Sequence, residues 1–412
     1  MTETPEAIDG AALLDAVEDH FNTYVAVPDD ADLSLLTLWT VHTHLALECY
    51  STPRLLIDST MPGSGKTTVL DHISRLGCNP VQAASLSSSA MLVRILDTGI
   101  RTILIDETDR SLNPDKPGVQ ELIAVLNSGY RRGATRPVLV PDKESGWVTK
   151  EMPTFAPVAM AGNSPRLPDD TRSRCLRVLL MPDVTGRVED SDWEFIEDDA
   201  LALRDRIVAF ADSVRDCLPR EVDLPKGCRG RAKEKWRPLK RVAVAAGGHW
   251  PAIADDLIAR GLAEDAAEHE AGLQHEPPGM VILRDLAAVW PGDETHVPTE
   301  TLVSRLVVHN PDYWGIRSNY GKALTAHRLG RLVAQASKVT STRPGGRGPR
   351  GYALTSLDPV WHRLGIPRKE TGASGGTGET GAVAAPLSPV DPLAPDAQRG
   401  SGERFLSDRE SA

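Results

Sequence analysis

Between residues 54 and 181 short runs of consecutive apolar residues alternate with segments whose apolar positions recur every three or four residues. Leu55–Ser59, Pro80–Ala84, Thr102–Asp106, Pro157–Gly162 and Leu176–Met181 are the runs, and they read as strands covered on both faces. Thr67–Leu76, Ser88–Asp97 and Val119–Asn127 are the periodic segments, and they read as helices. Strands alternating with helices predict an α/β fold in which a parallel sheet lies between helical layers, with any ligand at the carboxyl ends of the strands. Two helical patterns precede it, Ala11–Tyr24 and Leu33–Cys49, separated by Pro28-Asp29-Asp30. The second is apolar on most faces and should pack against the sheet; His42 and His44, two apart, do not share a helix face and are not expected to form a metal pair.

After residue 198 the pattern changes twice. Residues 199–272 are helical throughout. From residue 279 three helical patterns, Met280–Trp290, Pro298–His309 and Lys322–Ser337, lead into Lys338–Leu354, which reads as a hairpin with a glycine-rich basic tip. Helix, helix, helix, wing is the order of a winged-helix domain. Thr371–Ala412 is over half Gly, Ala, Ser and Pro with one aromatic residue, Phe405, and is expected to be disordered. The organisation expected is thus a helical segment over 1–50, an α/β core over 51–198, a helical lid over 199–278, a winged-helix domain over 279–368 and a tail over 369–412.

Composition narrows the class. The 412 residues are 41% hydrophobic and 25% charged, ordinary values for a chain that buries a full core. With 46 Lys and Arg against 57 Asp and Glu the net charge is −11, so any site for a polyanion must be local. One such locality exists: residues 317–350 contain Arg317, Lys322, Arg328, Arg331, Lys338, Arg343, Arg347 and Arg350 and no Asp or Glu. Contact with DNA phosphates is the use expected of the third helix and wing, and Arg328, Arg331, Arg343, Arg347 and Arg350 are its candidates. The five cysteines have no C-x-x-C spacing, so neither zinc nor a disulfide framework is expected. No run approaches the length of a membrane span, and a soluble cytoplasmic protein is expected.

The chemistry starts where the first strand ends. Leu55–Ser59 breaks into Thr60-Met61-Pro62-Gly63-Ser64-Gly65-Lys66-Thr67-Thr68, the G-x-x-x-x-G-K-S/T phosphate cradle with Thr60 in place of the first glycine. Residues 62–68 would wrap ATP phosphates in backbone N–H groups, Lys66 would reach the β and γ phosphates, and Thr67 would ligate Mg²⁺. The third strand ends in Asp106-Glu107. Asp106 is expected to order the metal and Glu107 to deprotonate the attacking water.

Further segments resemble parts of AAA+ ATPases. Phe155–Asn163 is an apolar strand ending in an amide, like the strand that carries their sensor 1; the resemblance gives Asn163 the γ phosphate to sense. Ser173-Arg174-Cys175 resembles the Ser-Arg-Cys segment of clamp loaders, which implies that Arg174, with Arg172 in reserve, reaches a neighbouring subunit's nucleotide. Arg136–Lys150 reads as a hairpin like the one that AAA+ replicative helicases project into their pore; Lys143 is at its turn, Lys150 on the return strand, and Arg131, Arg132 and Arg136 stand before it. In the lid, Arg231 is the candidate sensor 2, competing with Arg229 and Lys233.

Taken together, Leu38–His44, the Lys66 cradle, Ile105–Asp109, Leu126–Gly133, Ala156–Ala161, Trp236–Leu239 and Gly247–Trp250 resemble a domain-of-unknown-function P-loop ATPase family of actinobacteria, their phages and integrated elements, over residues 20–365. The resemblance implies an AAA+-like, Mg²⁺-dependent ATPase, a homo-oligomer of hexameric kind, acting on DNA as a helicase-type replication protein beside a primase or other replication proteins. Two alternatives stand next to it. One is a nucleotide-switched DNA-binding regulator, helicase loader or antiphage sensor that unwinds nothing; the other is a monomeric small-molecule kinase.

Overall fold

A computed structural model of the chain describes residues 8–83, 88–143, 146–270, 277–292, 294–318 and 321–368. The expected disordered tail, and residues 144 and 145 of the expected hairpin, lie outside these. Two compact units are present, Met1–Glu276 and Pro277–Ala412.

In the first unit α1 (Gly10–Tyr24) and α2 (Ala31–His44) precede β1 (Arg54–Ser59). There follow α3 (Lys66–Leu76), β2 (Pro80–Ala83), α4 (Ser89–Leu96), β3 (Thr102–Ile105), the single turn α5 (Thr108–Ser111) and α6 (Val119–Ser128). An antiparallel hairpin, β4 (Thr135–Asp142) and β5 (Gly146–Pro153), leads to β6 (Val158–Asn163), the single turn α7 (Asp169–Arg172) and β7 (Cys175–Leu180). Three long helices complete the unit: α8 (Trp193–Val214), α9 (Gly230–Ala246) and α10 (Trp250–Glu270).

β1, β2, β3, β6 and β7 form one parallel five-stranded sheet in the order β2-β3-β6-β1-β7. Alternate residues of each central strand enter different cores, because successive side chains of a strand point to opposite faces. Leu55 and Ile57 of β1, Leu104 of β3 and Ala159 and Ala161 of β6 join the core built with α1, α2, α3, α8, α9 and α10. Leu56, Ile103, Ile105, Val158 and Met160 join the opposite core with α4 and α6. Burial on both faces is why these strands read as unbroken apolar runs. The helices α9 and α10 approach to glycine distance, for a Cβ on Gly261 would fall 2.5 Å from the Trp236 ring.

α2 is enclosed on nearly all sides, in keeping with its all-round apolar pattern. Its three rings are each held by a hydrogen bond: Trp39 donates to Pro53 O at 2.9 Å, His42 Nε2 lies 3.1 Å from Thr52 Oγ1, and His44 Nε2 lies 2.8 Å from Leu76 O. Burial, and secondarily the Arg241 charge, lowers the His42 pKa to about 3. In an unfolded chain the imidazole protonates near its ordinary 6.5. Its contribution to stability is therefore intact above pH 6.5 and is lost as pH falls towards 3, with a slope of at most about 1.4 kcal/mol per pH unit. We expect His42→Gln, which keeps a group able to bond Thr52, to flatten the fall in melting temperature between pH 7 and pH 4. Parallel wild-type and variant curves would rule this coupling out.

The second unit comprises α11 (Pro278–Val289), β8 (His296–Pro298), α12 (Thr299–His309), the single turn α13 (Pro311–Trp314), α14 (Ala326–Ser337), β9 (Gly351–Ala353) and α15 (Leu354–Leu364). Its core gathers Leu286, Leu302, Trp314, Leu329, Tyr352 and Trp361. Asp285 Oδ2 accepts the Trp314 indole N–H at 2.7 Å, and Trp361 donates to Leu283 O at 2.8 Å. Two expectations for this unit are corrected, and one helix was not foreseen. The hairpin over 338–354 does not form: β9 pairs with β8, and the nearer strand contributes a single bridge, Thr342 to Gly351. Pro344, Gly345, Gly346, Gly348 and Pro349 supply little β propensity to carry that bridge further. The third helix starts at Ala326 rather than Lys322, because the Thr325 hydroxyl caps it by accepting from Arg328 N. Helix α15 went unread at the sequence level because Pro359 interrupts its pattern.

Candidate functional site

β1 lies between β6 and β7, and β3 lies beyond β6, so the chain leaves the carboxyl ends of neighbouring strands in different directions and opens a crevice there. The residues that end β1, β3 and β6 face it. Gly63 and Gly65 take φ of +77° and +79°, which L side chains rarely adopt. Thr60 does not take a positive φ, which explains why a non-glycine residue is tolerated there. The turn delivers Lys66 and Thr67 to the first turn of α3, whose unpaired N–H groups and positive dipole end favour an anion.

Lys66 Nζ donates to Ser59 Oγ at 2.6 Å and to Asn163 Oδ1 at 2.8 Å. Thr67 Oγ1 donates to Asp106 Oδ2 at 3.0 Å. Glu107, at φ +49°, donates its N–H to Asp106 Oδ1 at 2.7 Å, and its carboxylate pairs with Arg110 at 3.2 Å. Lys66, Thr67, Asp106, Glu107 and Asn163, separated by up to 97 positions in sequence, thus meet in one crevice. Asp106 and Thr67 present two hard oxygens side by side, a donor set that suits Mg²⁺ completed by phosphate and water.

Several site residues escaped the sequence reading. Ser59 bridges the cradle to β6, its hydroxyl 3.0 Å from Asn163 Oδ1. Asp109 Oδ1 accepts the Asn163 N–H at 3.2 Å, and a Cβ on Gly162 would fall 3.0 Å from the same oxygen, so glycine lets α5 close on β6. Its position three residues after Asp106 was the available signal. Beside Gly63, Gly65 and Thr68 opens a recess of ≈ 670 Å³ lined also by Tyr24 and Trp193 and by five carboxylates, those of Asp71, Asp183, Glu189, Asp190 and Asp192. His72 supports one wall, stacked on Tyr24 at 4.9 Å and tilted against Trp193 at 4.6 Å, with Nδ1 2.9 Å from His20 Nε2. Burial, with the neighbouring His20 and Arg75, lowers the His72 pKa to about 3. No sequence signal joins Tyr24 to Trp193, since packing alone brings them together.

The remaining candidates lie elsewhere. Arg174 is at the amino end of β7, its guanidinium paired with Asp170 and 5.7 Å from the Tyr130 ring centre. Arg231, expected over the phosphates, is not at the cradle: it lies 4.0 Å from Asp170 and 5.7 Å from the same Tyr130 ring. The physical reason is that α9 starts at the amino ends of the strands, where Glu234 of its first turns accepts Arg131 at 2.7 Å and receives Arg231 at 3.6 Å. Arg172, Arg229 and Lys233 are exposed. On the hairpin Lys143 is exposed at the turn and Trp147 is 66% exposed. The other hairpin cations are engaged within the chain: Lys150 with Asp97, Arg136 with Glu121, and Arg132 with Leu47 O. In the second unit Arg331, Arg343, Arg347 and Arg350 are exposed, and Arg331 and Arg350 line a recess of ≈ 760 Å³. Arg328 differs from them, being half-buried with its guanidinium 5.9 Å from the Trp314 ring. Among the described residues no helix is long and apolar enough to cross a membrane.

The chain resembles two solved structures loosely. One is the apo structure of the NrS-1 C-terminal region (305–718), at 12% identity over 83% of this chain and 75% of that one, with a TM-score of 0.38. The other is an A-form apo structure of that region, at 14% identity over 86% and 76%, with a TM-score of 0.36. Residues 187–364, which take in α8 to α15, match a family model described as a protein of unknown function, DUF3631. Over 187 residues the chain is 31% identical to an uncharacterized 28.9 kDa protein in the xis 5′ region of Saccharopolyspora erythraea, covering 42% of this chain and 67% of that protein. The chain belongs to the family of this Saccharopolyspora erythraea protein, with the DUF3631 match across its residues 187–364.

Proposed function

We propose that the chain is an AAA+-like P-loop ATPase, Mg²⁺-dependent and assembling as a hexameric ring, that works on DNA as a helicase-type replication protein of a phage or mobile element. The observation that carries the reading is the meeting of Lys66, Thr67, Asp106, Glu107 and Asn163 at the carboxyl ends of three adjacent parallel strands. In this reading the backbone N–H groups of residues 62–68 hold the phosphates, and Lys66 exchanges Ser59 and Asn163 for β and γ oxygens. Thr67 and Asp106 hold Mg²⁺, which neutralises charge on those phosphates. Glu107 takes a proton from water as its oxygen bonds to the γ phosphorus and the bond from that phosphorus to the bridging oxygen breaks. Asn163, tethered by Asp109, holds the water or the γ phosphate in line. The recess beside the cradle takes the base, for which the Tyr24 and Trp193 rings offer stacking surfaces among its carboxylates.

In the second unit the helices with a small β8–β9 sheet support a winged-helix reading in which Arg331, Arg343, Arg347 and Arg350 meet DNA phosphates. ATP hydrolysis measured against protein concentration, with and without single-stranded DNA, tests the whole. The expected rate per subunit climbs with concentration, needs Mg²⁺ and rises with DNA. A rate independent of concentration would count against the ring, and no hydrolysis would end the ATPase reading. Unwinding of a forked duplex then separates a motor from a nucleotide-operated switch. Alanine at all four arginines is expected to weaken DNA binding and to reduce the salt slope by roughly one per phosphate contact removed; an unchanged slope would move the DNA site elsewhere.

A further inference from the structure

A recess of ≈ 700 Å³ in the first unit opens where the turn before β1 meets the residues that follow α8 and the first turns of α9. Its walls are basic in an acidic chain. Arg132, Arg215, Arg220, Lys233, Arg237 and Arg241 stand against Glu48, Asp216 and Glu234, a local charge of +3 where the whole chain carries −11. Ion pairing does not cancel it. Of the six cations only Arg215 meets a carboxylate among the described residues, Glu48 at 3.4 Å and Asp212 at 2.9 Å. Glu234 gives its charge to Arg131 and Arg231 instead.

Backbone carbonyls hold the other guanidiniums. Arg241 donates to Pro219 O at 2.6 Å and to Glu48 O at 2.8 Å, Arg237 donates to Arg220 O, and Arg132 donates to Leu47 O. A carbonyl fixes the direction of a guanidinium and leaves its charge whole, so the recess presents placed cations and not ion pairs. Arg220 and Lys233 are exposed, and their side chains pair with no carboxylate among the described residues. Such an array favours an anion with several charged groups, since each further contact meets a cation whose position is already set.

An aromatic ring joins these cations. Tyr50, which also lines the recess, is 59% exposed, and the Arg131 guanidinium lies 5.9 Å from its ring centre. Its turn is pinned on both sides. Arg132 N–H donates to Tyr50 O at 2.8 Å, while Ser51 bridges to Arg131 and donates its hydroxyl to Glu234 O at 2.8 Å. A ring left in solvent on a pinned turn, among placed cations, is a platform on which a base can stack. The cradle is at the other end of the sheet: this turn leads into β1 at Arg54, and the cradle follows Ser59. At about 3.3 Å per residue, roughly 16 Å of strand separates the two.

We infer that this recess binds a segment of single-stranded DNA, with phosphates on Arg132, Arg220, Lys233 and Arg237 and a base stacked on Tyr50. The inference rests on the reading of the chain as a protein that works on DNA and deepens it, giving the first unit a strand contact of its own beside the arginines of the second. A single strand fits where a duplex does not, because stacking on Tyr50 needs a base with a free face, and in a duplex each face is covered by the next pair. The contact tolerates any sequence: every base has a π face, and the cations meet phosphate oxygens.

Anisotropy of a fluorescein-labelled oligothymidylate, measured without ATP on the full chain with Arg331, Arg343, Arg347 and Arg350 replaced by alanine, tests it. This parent is expected to keep salt-sensitive binding and to bind the matching duplex at least tenfold more weakly. Adding Arg220→Gln and Lys233→Gln should weaken strand binding at least tenfold and flatten its log–log salt slope by roughly 1.4, about 0.7 per contact. Adding Tyr50→Ala should cost about 5–150-fold with the slope unchanged, and Tyr50→Phe should stay within twofold of the parent. Binding that ignores both sets of changes overturns the inference. So does a loss with R220Q/K233Q but none with Y50A, which would make the recess an anion site blind to bases. If wild type binds the strand and the parent does not, the inference falls while the DNA reading stands; a wild-type chain that binds no DNA removes that reading too. Should a variant fail to fold, a strand carrying 4-thiothymidine, irradiated on the wild-type chain, is expected to attach within residues 47–51, and attachment confined to other segments overturns the inference. Because no assay here contains ATP, a chain without ATPase activity is a separate result.

Discussion

Lys66→Ala is expected to abolish ATP binding at concentrations that saturate the wild-type chain. Lys66 is placed before any nucleotide arrives, held at 2.6 and 2.8 Å by Ser59 and Asn163, so its charge is already aimed at the end of β1. Hydrogen bonds to charged groups contribute about 1.5–3 kcal/mol each. Losing two of them to phosphate oxygens amounts to roughly 10²–10⁴ in affinity at 1.4 kcal/mol per tenfold. The scaffold should survive, because Ser59 Oγ remains 3.0 Å from Asn163 Oδ1 and alanine suits the first turn of α3. Equilibrium binding of a fluorescent ATP analogue beside a thermal melt is the measurement. An unshifted melt with binding within twofold of wild type would show that residues 62–68 do not form the phosphate site.

Glu107→Gln is expected to do the reverse, keeping ATP and losing its hydrolysis by about 10²–10⁴, the usual worth of a positioned general base. The substituted amide is nearly isosteric but takes no proton from water. The rival base in the crevice is Asp109, and its geometry argues for a tethering role instead: its Oδ1 is occupied by the Asn163 N–H and packed behind Gly162. Glu107 by contrast is held by backbone at the strand end, with its carboxylate exposed and paired with an exposed arginine, Arg110. Because ATP stays bound, E107Q should also shift sizing profiles towards assembled forms when ATP is present. If E107Q turned over at the wild-type rate while Asp109→Asn did not, the roles assigned here to the two carboxylates would exchange.

The two substitutions probe parts of the site that differ in how far they could be read from residues alone. Gly63, Gly65, Lys66 and Thr67 are contiguous, and their φ requirements and dipole end are local properties of a strand–turn–helix unit. Asp106 and Glu107 were legible because a fully buried strand must end somewhere, and charge at its end is informative. Asn163 rested on analogy until the fold set it 2.8 Å from Lys66. Ser59 carries no unusual pattern, and Asp109 had only its place three residues after Asp106; both gain a role as hydrogen-bond partners. On the hairpin, counting cations misled: Arg136 and Lys150 look available in sequence but spend their charge on Glu121 and Asp97. Arg328 likewise sits in an acid-free segment yet turns towards Trp314.

Taken by itself, the order of residues determined the α/β alternation, the strands covered on both faces, the cradle and its carboxylate partner, for each depends on period, propensity or φ within a few neighbours. Tertiary structure alone decided which end of the sheet Arg231 attends, that Tyr24 and Trp193 wall one recess, and that β9 takes β8 as its partner. Those outcomes depend on packing between segments tens to hundreds of residues apart, where helix direction and buried charge pairing choose among placements that local pattern leaves equal.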